Sequence, residues 1–427
     1  MDIAGIYELF QQSSGIETDT RKLSQGCIFF ALSGENFDGN QFISFALEHG
    51  AAYCVGDNTA GLDDERIITV KNSLETLQKL ARHHRETLDI PVIAITGSNG
   101  KTTTKELLHA VLSEKYKTYT TVGNLNNHIG VPLTLLSIKN DAEIAIVEMG
   151  ANHIGEIASY CSYTLPTHGL ITNCGKAHLE GFGDVEGVIK GKTELFEYLA
   201  AHEGTVFLNT DLAYLETPGA RISKQVTFGA CSGETRGKII NSENFLDAEF
   251  TVSQEEPFTI HSNLVGGYNL PNMLAAVTAG KYFKVEIKVI KSALENYMPT
   301  NSRSQKISVG SNDIILDAYN ANPSSMEAAV LNFAAMPGDN KVIILGSMME
   351  LGKDSAEEHT NLVRLVNNYS WNAMAFCGPG FKDLVEEKRW FIDAPTAGKW
   401  FHQEKFQYCK ILIKGSRSMK MEKVLKA

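Results

Sequence analysis

Short apolar runs alternate with amphipathic stretches along most of this chain. The apolar runs predict strands at Cys27–Leu32, Ala52–Val55, Val92–Ile95, Glu143–Glu148, Gly169–Thr172, Thr205–Asn209, Asp313–Asp317, Lys341–Gly346, Ala373–Cys377 and Lys410–Lys414. The amphipathic stretches predict helices at Phe42–His49, Leu77–Glu86, Pro271–Phe283, Ile287–Tyr297, Ser324–Ala335 and Asp354–Asn368. Strands that alternate with helices are typical of α/β domains built on mostly parallel sheets.

The chain has 427 residues, which is too long for one ordinary domain. We expect a small α/β domain at 1–86, a central domain with a mostly parallel sheet at 87–299, and a smaller Rossmann-like α/β domain at 300–427. Within the central domain, short polar-alternating runs between Arg221 and Leu264 favour an antiparallel part of the sheet. Met298–Ser304 is the predicted hinge before the third domain.

Charge and cysteine usage narrow the classes of function. The formal net charge is −11, and no cluster of basic residues offers a nucleic-acid surface. The 7 cysteines are scattered without a CxxC pair, which is typical of reduced thiols in a cytoplasmic protein. The N-terminus lacks a signal-peptide pattern, and no apolar run is long enough for a membrane span.

The strongest chemical motif is PVIAITGSNGKTTTK, at Pro91–Lys105. A strand leads into Gly97 and Gly100, then Lys101 and Thr102 open a helix, which is the order of a phosphate-binding loop. The match is the shorter G-x-x-G-K-T-T form, and the alternative is an ordinary glycine-rich turn. We predict ATP binding by Gly97, Ser98, Asn99, Gly100, Lys101, Thr102 and Thr103.

Other polar groups come directly after predicted strands. Glu148 ends a strand, where a carboxylate suits the Mg²⁺ of Mg-ATP, although a capping or surface glutamate is the alternative. His178 lies beyond the next strand and is either a metal ligand or a structural histidine. Lys190 and Lys192 fall on a predicted helix, and their spacing alone favours a solvated face.

Three further segments carry dense polar groups. The loops Gly123–Thr134 and Asp317–Ser325 are rich in asparagine, which forms turns or binds polar ligands. Lys414–Glu422 places basic and hydroxyl groups at a predicted helix N-terminus, where a carboxylate or phosphate would bind.

The ordered set of motifs resembles the Mur ligase family of peptidoglycan synthesis. Within it, the chain is most similar to the subgroup that adds D-alanyl-D-alanine to UDP-N-acetylmuramoyl-tripeptide. The resemblance covers nearly the whole chain. It rests on TDTRKLSQGCIFFALSGENFDGNQF, GSNGKTTTK, GNLNNHIGVPLT, VEMGAN, NCGKAHLEGFG, GKTELF, NTD, GGYNLPN, DAYNANPSSM, LGSMMELG and KGSR.

The resemblance implies a mechanism. ATP phosphorylates the tripeptide carboxylate, and the amine of the dipeptide then attacks the acyl phosphate. By resemblance, Lys101 binds the β/γ-phosphates, while Thr102 and Glu148 bind a first Mg²⁺. His178 binds a second Mg²⁺ together with Lys192 in carbamylated form.

The resemblance also implies the remaining binding residues and a closure of the third domain onto the nucleotide. Tyr268, Thr193 and Ser302 depart from the family pattern, and Ser302 weakens the assignment of its neighbour Arg303. The implied ATP contacts are Asn269 and Asn272 near the adenine, together with Arg303, Asp317 and Asn320. The implied contacts of the uridine diphosphate are Thr20, Arg21 and the loop Gly34–Asn40, with Gly34, Asp38 and Gly39. Those of the muramoyl peptide are Asn124, Asn126, Asn127 and His128, and those of the dipeptide carboxylate are Lys414, Ser416 and Arg417.

Several alternatives share parts of this pattern. Another Mur ligase or a folylpolyglutamate synthase-like enzyme would share the architecture, although the folate type lacks a uridine-nucleotide domain. A Mur-like protein that binds nucleotide without ligating is disfavoured because Lys101, Thr102, Glu148, His178 and Lys192 are all present. A plain P-loop hydrolase does not explain the resemblance in all three segments. We expect a cytoplasmic monomer that binds neither nucleic acid nor membrane.

Overall fold

The computed structural model describes residues 1–34, 37–300 and 303–426. Two residues of the predicted hinge (Asn301 and Ser302) and two of the predicted uridine-binding loop (Glu35 and Asn36) therefore lie outside the described residues, and the hinge stays a prediction. The α/β class with mostly parallel sheets is confirmed. Within these ranges the cysteines are free thiols, and no helix is long and apolar enough to cross a membrane.

The N-terminal unit is a parallel sheet in the order β1-β2-β5-β6, flanked by helices. A short antiparallel hairpin, β3–β4, projects from it. Its elements are α1 Ile3–Gln12, β1 Ile16–Glu17, β2 Ile28–Phe30, β3 Ser33–Gly34, β4 Phe37–Asp38, α2 Ile43–Glu48, β5 Tyr53–Gly56, β6 Ile67–Thr69 and α3 Ser73–Glu86.

The central unit is built on a sheet in the order β15-β14-β13-β12-β11-β10-β7-β9-β8. The prediction of an antiparallel segment is correct for β13 to β15. It is wrong for β12, which pairs in parallel with both of its neighbours. The elements are β7 Val92–Thr96, α4 Lys101–Leu112, β8 Thr118–Thr120, α5 Gly130–Leu136, β9 Ile144–Glu148, α6 Glu156–Thr164, β10 His168–Ile171, α7 Leu179–Phe182, α8 Val185–Ala201, β11 Thr205–Asn209, α9 Glu216–Gly219, β12 Lys224–Gly229, β13 Thr235–Asn241, β14 Asp247–Val252, β15 Phe258–His261, α10 Leu270–Tyr282 and α11 Ile287–Asn296.

The third unit has the sheet order β16-β17-β21-β18-β19-β20, parallel except for β16. Contrary to the prediction, no α-helix follows the last strand within the described residues, where Arg417–Met419 and Met421–Leu425 form short 3-10 helices. The elements are β16 Gln305–Val309, β17 Asn312–Asp317, α12 Pro323–Ala335, β18 Lys341–Gly346, α13 Ser355–Asn367, β19 Ala373–Cys377, β20 Trp390–Phe391, α14 Ala394–Glu404 and β21 Lys410–Lys414.

The N-terminal and central units share one hydrophobic core. Ile6 of α1 and Leu80 of α3 belong to the same buried cluster as Val92 of β7 and Leu135 of α5. The third unit buries its apolar side chains mainly in clusters of its own on the two faces of its sheet. Burial of apolar surface is the main force that fixes one element on another. The first two units therefore form one body, and the third is attached more loosely.

Arg85 is a buried polar residue where the N-terminal and central units meet. Its side chain is 6% exposed, and its guanidinium donates to the carbonyl oxygens of Thr164 and Leu165 at the end of α6. The same group donates to Leu88 and Ile90 in the segment that leads into β7. Its five donors in a fixed plane suit such a cluster of carbonyls.

We expect the variant Arg85→Met to lose about 3 kcal/mol of unfolding free energy, because it leaves buried carbonyl groups without a donor. Urea denaturation measures the difference. Arg82→Met is the matched control on the same helix, since Arg82 is half exposed and pairs only with the exposed Glu86. That control should change stability by less than about 0.5 kcal/mol. Equal losses in the two variants would contradict the assignment.

Candidate active site

The loop between β7 and α4 is shaped by two glycines with left-handed backbone conformations. Gly97 has φ +144° and Gly100 has φ +83°. A Cβ at Gly97 would lie 2.0 Å from Thr172 Oγ1, and one at Gly100 would lie 2.6 Å from Asn272 Oδ1. No other residue type fits both the backbone and the space. The loop is therefore pressed between the end of β10 and the start of α10.

Hydrogen bonds hold this loop on the segment after β10. The backbone N–H of Ser98 donates to Asn173 O at 2.8 Å, and that of Asn99 donates to Asn173 Oδ1 at 3.0 Å. Ser98 Oγ donates to Gly175 O at 2.9 Å. The loop ends at the N-terminus of α4, whose first N–H groups have no acceptor within the helix. This is the geometry of an anion-binding site.

Lys101 lies at the mouth of the loop. Its Nζ donates to Gly97 O at 2.6 Å and to Ser98 O at 3.3 Å. Burial lowers the pKa of Lys101, Arg303 lowers it further, and the carboxylates of Glu148 and Glu350 oppose that shift. Lys101 is thus one member of a cluster of charged groups from two units of the fold.

Glu148 is the acidic centre of the cluster and is 1% exposed. Thr102 Oγ1 donates to Glu148 Oε2 at 2.7 Å, and Asn126 Nδ2 donates to Glu148 Oε1 at 2.7 Å. The Glu148 backbone N–H donates to Thr121 Oγ1 at 2.9 Å. Lys105, whose Nζ donates to Thr121 O at 2.6 Å, supports the same strand end. The carboxylate is therefore held in one orientation.

Lys192 is buried in α8, at 1% exposure. Its Nζ donates to Ala151 O at 2.9 Å and lies 5.0 Å from the centre of the Phe182 ring. Burial, reinforced by the charge of Lys101, lowers the pKa of Lys192 to about 7. An amine with this pKa is largely neutral just above neutral pH, which is the form that reacts with carbon dioxide. Lys190, in contrast, is exposed.

His178 meets a residue of the third unit. It begins α7 with a left-handed backbone, φ +53°, and its Nδ1 lies 2.6 Å from Glu350 Oε2. Glu350 is also left-handed, with φ +62°. The contact with His178 lowers the pKa of the Glu350 carboxyl.

Further polar contacts join the third unit to the phosphate loop. Asn322, the N-cap of α12, donates from Nδ2 to Asn99 Oδ1 at 2.9 Å. The Lys176 backbone N–H donates to Ser324 Oγ at 3.0 Å, and Lys176 Nζ lies 2.7 Å from Glu358 Oε1. The third unit is thus docked on the loop in this structure.

The predicted nucleotide residues of the third unit form a second cluster. Arg303 stacks on Tyr319, with Cζ 3.6 Å from the ring centre. Lys414 is 2% exposed, and its Nζ lies 2.6 Å from Asp317 Oδ2 and donates to Asn320 O at 3.3 Å. The predicted anion-binding role of Lys414 thus competes with an existing ion pair.

The predicted adenine residues are buried behind the phosphate loop. Asn272 Nδ2 donates to Asn269 Oδ1 at 2.9 Å, and Thr104 Oγ1 donates to Asn272 Oδ1 at 3.0 Å. Asn269 in turn donates to Val265 O at 2.9 Å. In this structure they connect α10 with α4, and their contact with adenine stays a prediction.

The residues predicted to bind the UDP-muramoyl peptide and the dipeptide are more dispersed. Arg21 is paired with Asp19 and is 87% exposed in its side chain. Asp38 Oδ1 accepts from the backbone N–H of Asn40. Asn127 Oδ1 accepts from the backbone N–H groups before α5, which is a turn-forming contact. The other members of this set lie in turns and loops: Thr20 starts a 3-10 turn, Gly34 and Gly39 lie in or beside the β3–β4 hairpin, Asn124 and His128 flank the turn before α5, and Ser416 and Arg417 come after β21.

Sequence reasoning misses the residues that act across the boundary between units. It assigns no role to Glu350, Glu358 or Lys176, and none to Lys105, which acts within the central unit. The motif LGSMMELG contains Glu350 and is the one local signal that points to it. The ion pair between Lys176 and Glu358 has no local sequence signal, because the partners come from different sheets.

The donor set suits Mg²⁺ bound together with ATP. Over the described ranges, no three His, Cys, Asp or Glu side chains gather as a ready-made metal site. Mg²⁺ usually takes one or two carboxylates and completes its shell with water and substrate phosphates. The buried Glu148 carboxylate and the Thr102 hydroxyl beside the phosphate loop fit that requirement.

The fold and this site define a class of protein. Family models match three parts of the chain: Mur ligase family, catalytic domain, at 12–85; Mur ligase middle domain at 95–280; and Mur ligase, glutamate ligase domain, at 302–394. The chain belongs to the Mur ligase family, as the sequence predicts.

Individual relatives point to one member of that family. The chain is 34% identical to the UDP-N-acetylmuramoyl-tripeptide--D-alanyl-D-alanine ligase of Bacillus subtilis, over 96% of this chain and 92% of the relative. It is 35% identical to the enzyme of that name in Escherichia coli, over 96% and 93%. The crystal structure of MurF from Acinetobacter baumannii superimposes with a TM-score of 0.88, at 28% identity over 98% and 97% of the chains. MurF ligase from Thermotoga maritima in complex with ADP gives a TM-score of 0.86, at 27% identity over 98% and 97%.

Proposed function

We propose that this protein joins D-alanyl-D-alanine to UDP-N-acetylmuramoyl-tripeptide at the expense of ATP, in the cytoplasm and as a monomer. The observation that carries the proposal is the cluster of charged groups around Lys101, whose charge interacts with those of Glu148, Lys192 and Glu350, with His178 at 2.6 Å from Glu350. The near full-length similarity to ligases of that name supports the substrates. The ADP in the Thermotoga maritima relative supports the nucleotide.

The proposed reaction has two steps. An oxygen of the tripeptide carboxylate attacks the γ-phosphorus of ATP, and ADP leaves. The dipeptide amine then attacks the acyl carbon, phosphate leaves, and the amine gives up a proton as the amide bond forms. Each step brings anionic oxygens together, so preorganised positive charge lowers its barrier.

Different residues of the chain bind the phosphates, neutralise their charge and hold the metal ions. The loop at Gly97–Gly100 and the N-terminus of α4 hold the phosphates, and Lys101 neutralises their charge. Thr102 and Glu148 would hold one Mg²⁺, while His178 and a carbamylated Lys192 would hold a second. When bound, the metal ions neutralise phosphate charge and orient the transferring group.

The three units have separate tasks in this proposal. The N-terminal unit, at 1–86, holds the uridine diphosphate; the central unit, at 87–299, holds ATP; the third, at 300–427, completes the nucleotide site and receives the dipeptide. Asn126 has a role different from the one that the resemblance implies. Because it donates to Glu148, we assign it to positioning that carboxylate rather than to direct contact with the muramoyl peptide.

Phosphate release tests the proposal. The purified chain is given ATP, Mg²⁺ and UDP-N-acetylmuramoyl-tripeptide, with and without D-alanyl-D-alanine. We expect release that requires both substrates and a product heavier by one dipeptide in mass spectrometry. Absence of release with tripeptides containing either lysine or diaminopimelate would contradict the substrate assignment. Release without either substrate would indicate a hydrolase.

A further inference from the structure

His178 and Glu350 face each other across the boundary between the central and third units. Their side chains are 2.6 Å apart, from Nδ1 to Oε2. The backbone N–H of Glu180 also donates to Glu350 O at 3.4 Å, so the two segments touch at two points. Both residues have left-handed backbones, a conformation that is costly for side chains other than glycine and is concentrated at functional sites. The fold therefore holds both residues in unfavourable conformations where they meet.

The ring nitrogen of His178 that lies nearest Glu350 needs a hydrogen-bond partner. Nδ1 of His178 is buried, and within the described part of the chain it makes no hydrogen bond of standard geometry. The Glu350 oxygen is within hydrogen-bonding distance, so a rotation of the ring can align the N–H with it. A metal-binding histidine usually donates one ring N–H to a carboxylate or carbonyl, which leaves the other nitrogen free for the metal.

We propose that Glu350 is a positioning residue for the divalent cation that His178 binds. By accepting a hydrogen bond from Nδ1, its carboxylate fixes the tautomer of His178 whose Nε2 is free to bind the metal. This inference rests on the proposed function, in which His178 is a metal ligand. Since Glu350 belongs to the third unit, the metal site in the central unit gains full affinity only when the third unit is docked.

Glu358 supplies a matched control. It also lies in the third unit and also crosses the boundary, through its ion pair with Lys176. No contact joins it to His178 among the described residues. Glu358→Gln therefore weakens docking without altering the histidine, whereas Glu350→Gln keeps an oxygen at this position but removes the negative charge that holds the histidine proton on Nδ1. Glutamine keeps the size of glutamate, so neither variant creates a cavity.

The experiment is a titration of the full chain with Mn²⁺ at saturating ADP, with free Mn²⁺ measured by electron paramagnetic resonance. We expect Glu350→Gln to weaken the more weakly bound Mn²⁺ by about 10-fold to 100-fold, and Glu358→Gln to weaken it much less, because that variant affects only docking. In ¹⁵N spectra of the His178 ring, Glu350→Gln should shift protonation away from Nδ1.

Other results of these measurements would overturn either the role of Glu350 or the metal role of His178. Unaltered Mn²⁺ binding in Glu350→Gln overturns the inference. Equal weakening in Glu350→Gln and Glu358→Gln also overturns it, because docking alone would then explain the effect. His178→Ala serves to test the proposed function itself. If that variant binds Mn²⁺ as tightly as the unaltered chain, the metal role of His178 fails, whereas a loss confined to His178→Ala overturns only the role of Glu350.

Discussion

Replacing Glu148 with glutamine should lower the rate of phosphate release by at least about 10²-fold. The amide keeps the shape of the side chain but removes the negative charge. It also places an N–H₂ group against Thr102 Oγ1 or Asn126 Nδ2, both of which donate to the carboxylate. The Thr102 hydroxyl can turn to accept from that amide, but the negative charge that would hold the metal is lost, so affinity for Mn²⁺ should fall together with the rate.

Glu143→Gln is the control for this variant. Glu143 directly precedes the strand that Glu148 ends, it is exposed, and its carboxylate accepts from the Lys117 backbone N–H. The Glu143→Gln variant should release phosphate at the same rate as the unaltered chain and bind Mn²⁺ with the same affinity. A Glu148→Gln variant that keeps both properties would refute the role assigned to this carboxylate.

Lys192→Ala should lose activity by at least about 10²-fold and recover part of it when short-chain carboxylic acids are added. An added carboxylate can occupy the space of the missing side chain and supply the negative charge of a carbamate. Lys190→Ala is the control, because Lys190 lies on the same helix but is exposed, and it should retain full activity. An unimpaired Lys192→Ala variant would exclude a carbamate at this position.

The lowered pKa of Lys192 gives this prediction a pH dependence. With a pKa of about 7, the amine is mostly protonated at pH 6 and mostly neutral at pH 8, and only the neutral amine adds carbon dioxide. After equilibration with the same concentration of dissolved carbon dioxide, a depleted sample should therefore regain activity at pH 8 and regain much less at pH 6. Measuring both samples in one assay buffer separates this effect from other ionisations. Equal recovery at the two pH values would contradict the assignment.

The phosphate loop and Glu148 can be identified from local pattern, because both lie at the carboxyl ends of apolar strands, where parallel sheets bind ligands. Lys192 cannot be separated from Lys190 by spacing. Its burial comes from the packing of α8 near Phe182 and Ala151, which local sequence does not encode, and only the family resemblance favours it. The prediction of an antiparallel segment in the central sheet is half correct, since polar alternation does not determine the direction of pairing.

Local sequence does not predict the contacts between units, for a similar reason. Glu350 and His178 are far apart in the chain, and each adopts a backbone conformation that its residue type does not favour. Asn126 is predicted to contact the muramoyl peptide from the family resemblance, while the composition of its loop is equally typical of a turn. Its contact with Glu148 arises from how the loop folds back on β9, which composition does not determine.

The shared core around Arg85 has a consequence for the choice of substrate. Because α3 packs into the same cluster as β7 and α5, the span between the N-terminal unit and the phosphate loop does not depend on where the third unit lies. In the proposed reaction, a substrate held at its nucleotide end by the N-terminal unit places its far carboxylate beside Lys101 only if its length matches that span. We therefore expect a peptide one residue shorter or longer to bind at its nucleotide end without being phosphorylated, which binding and phosphate-release assays on the same substrates would measure.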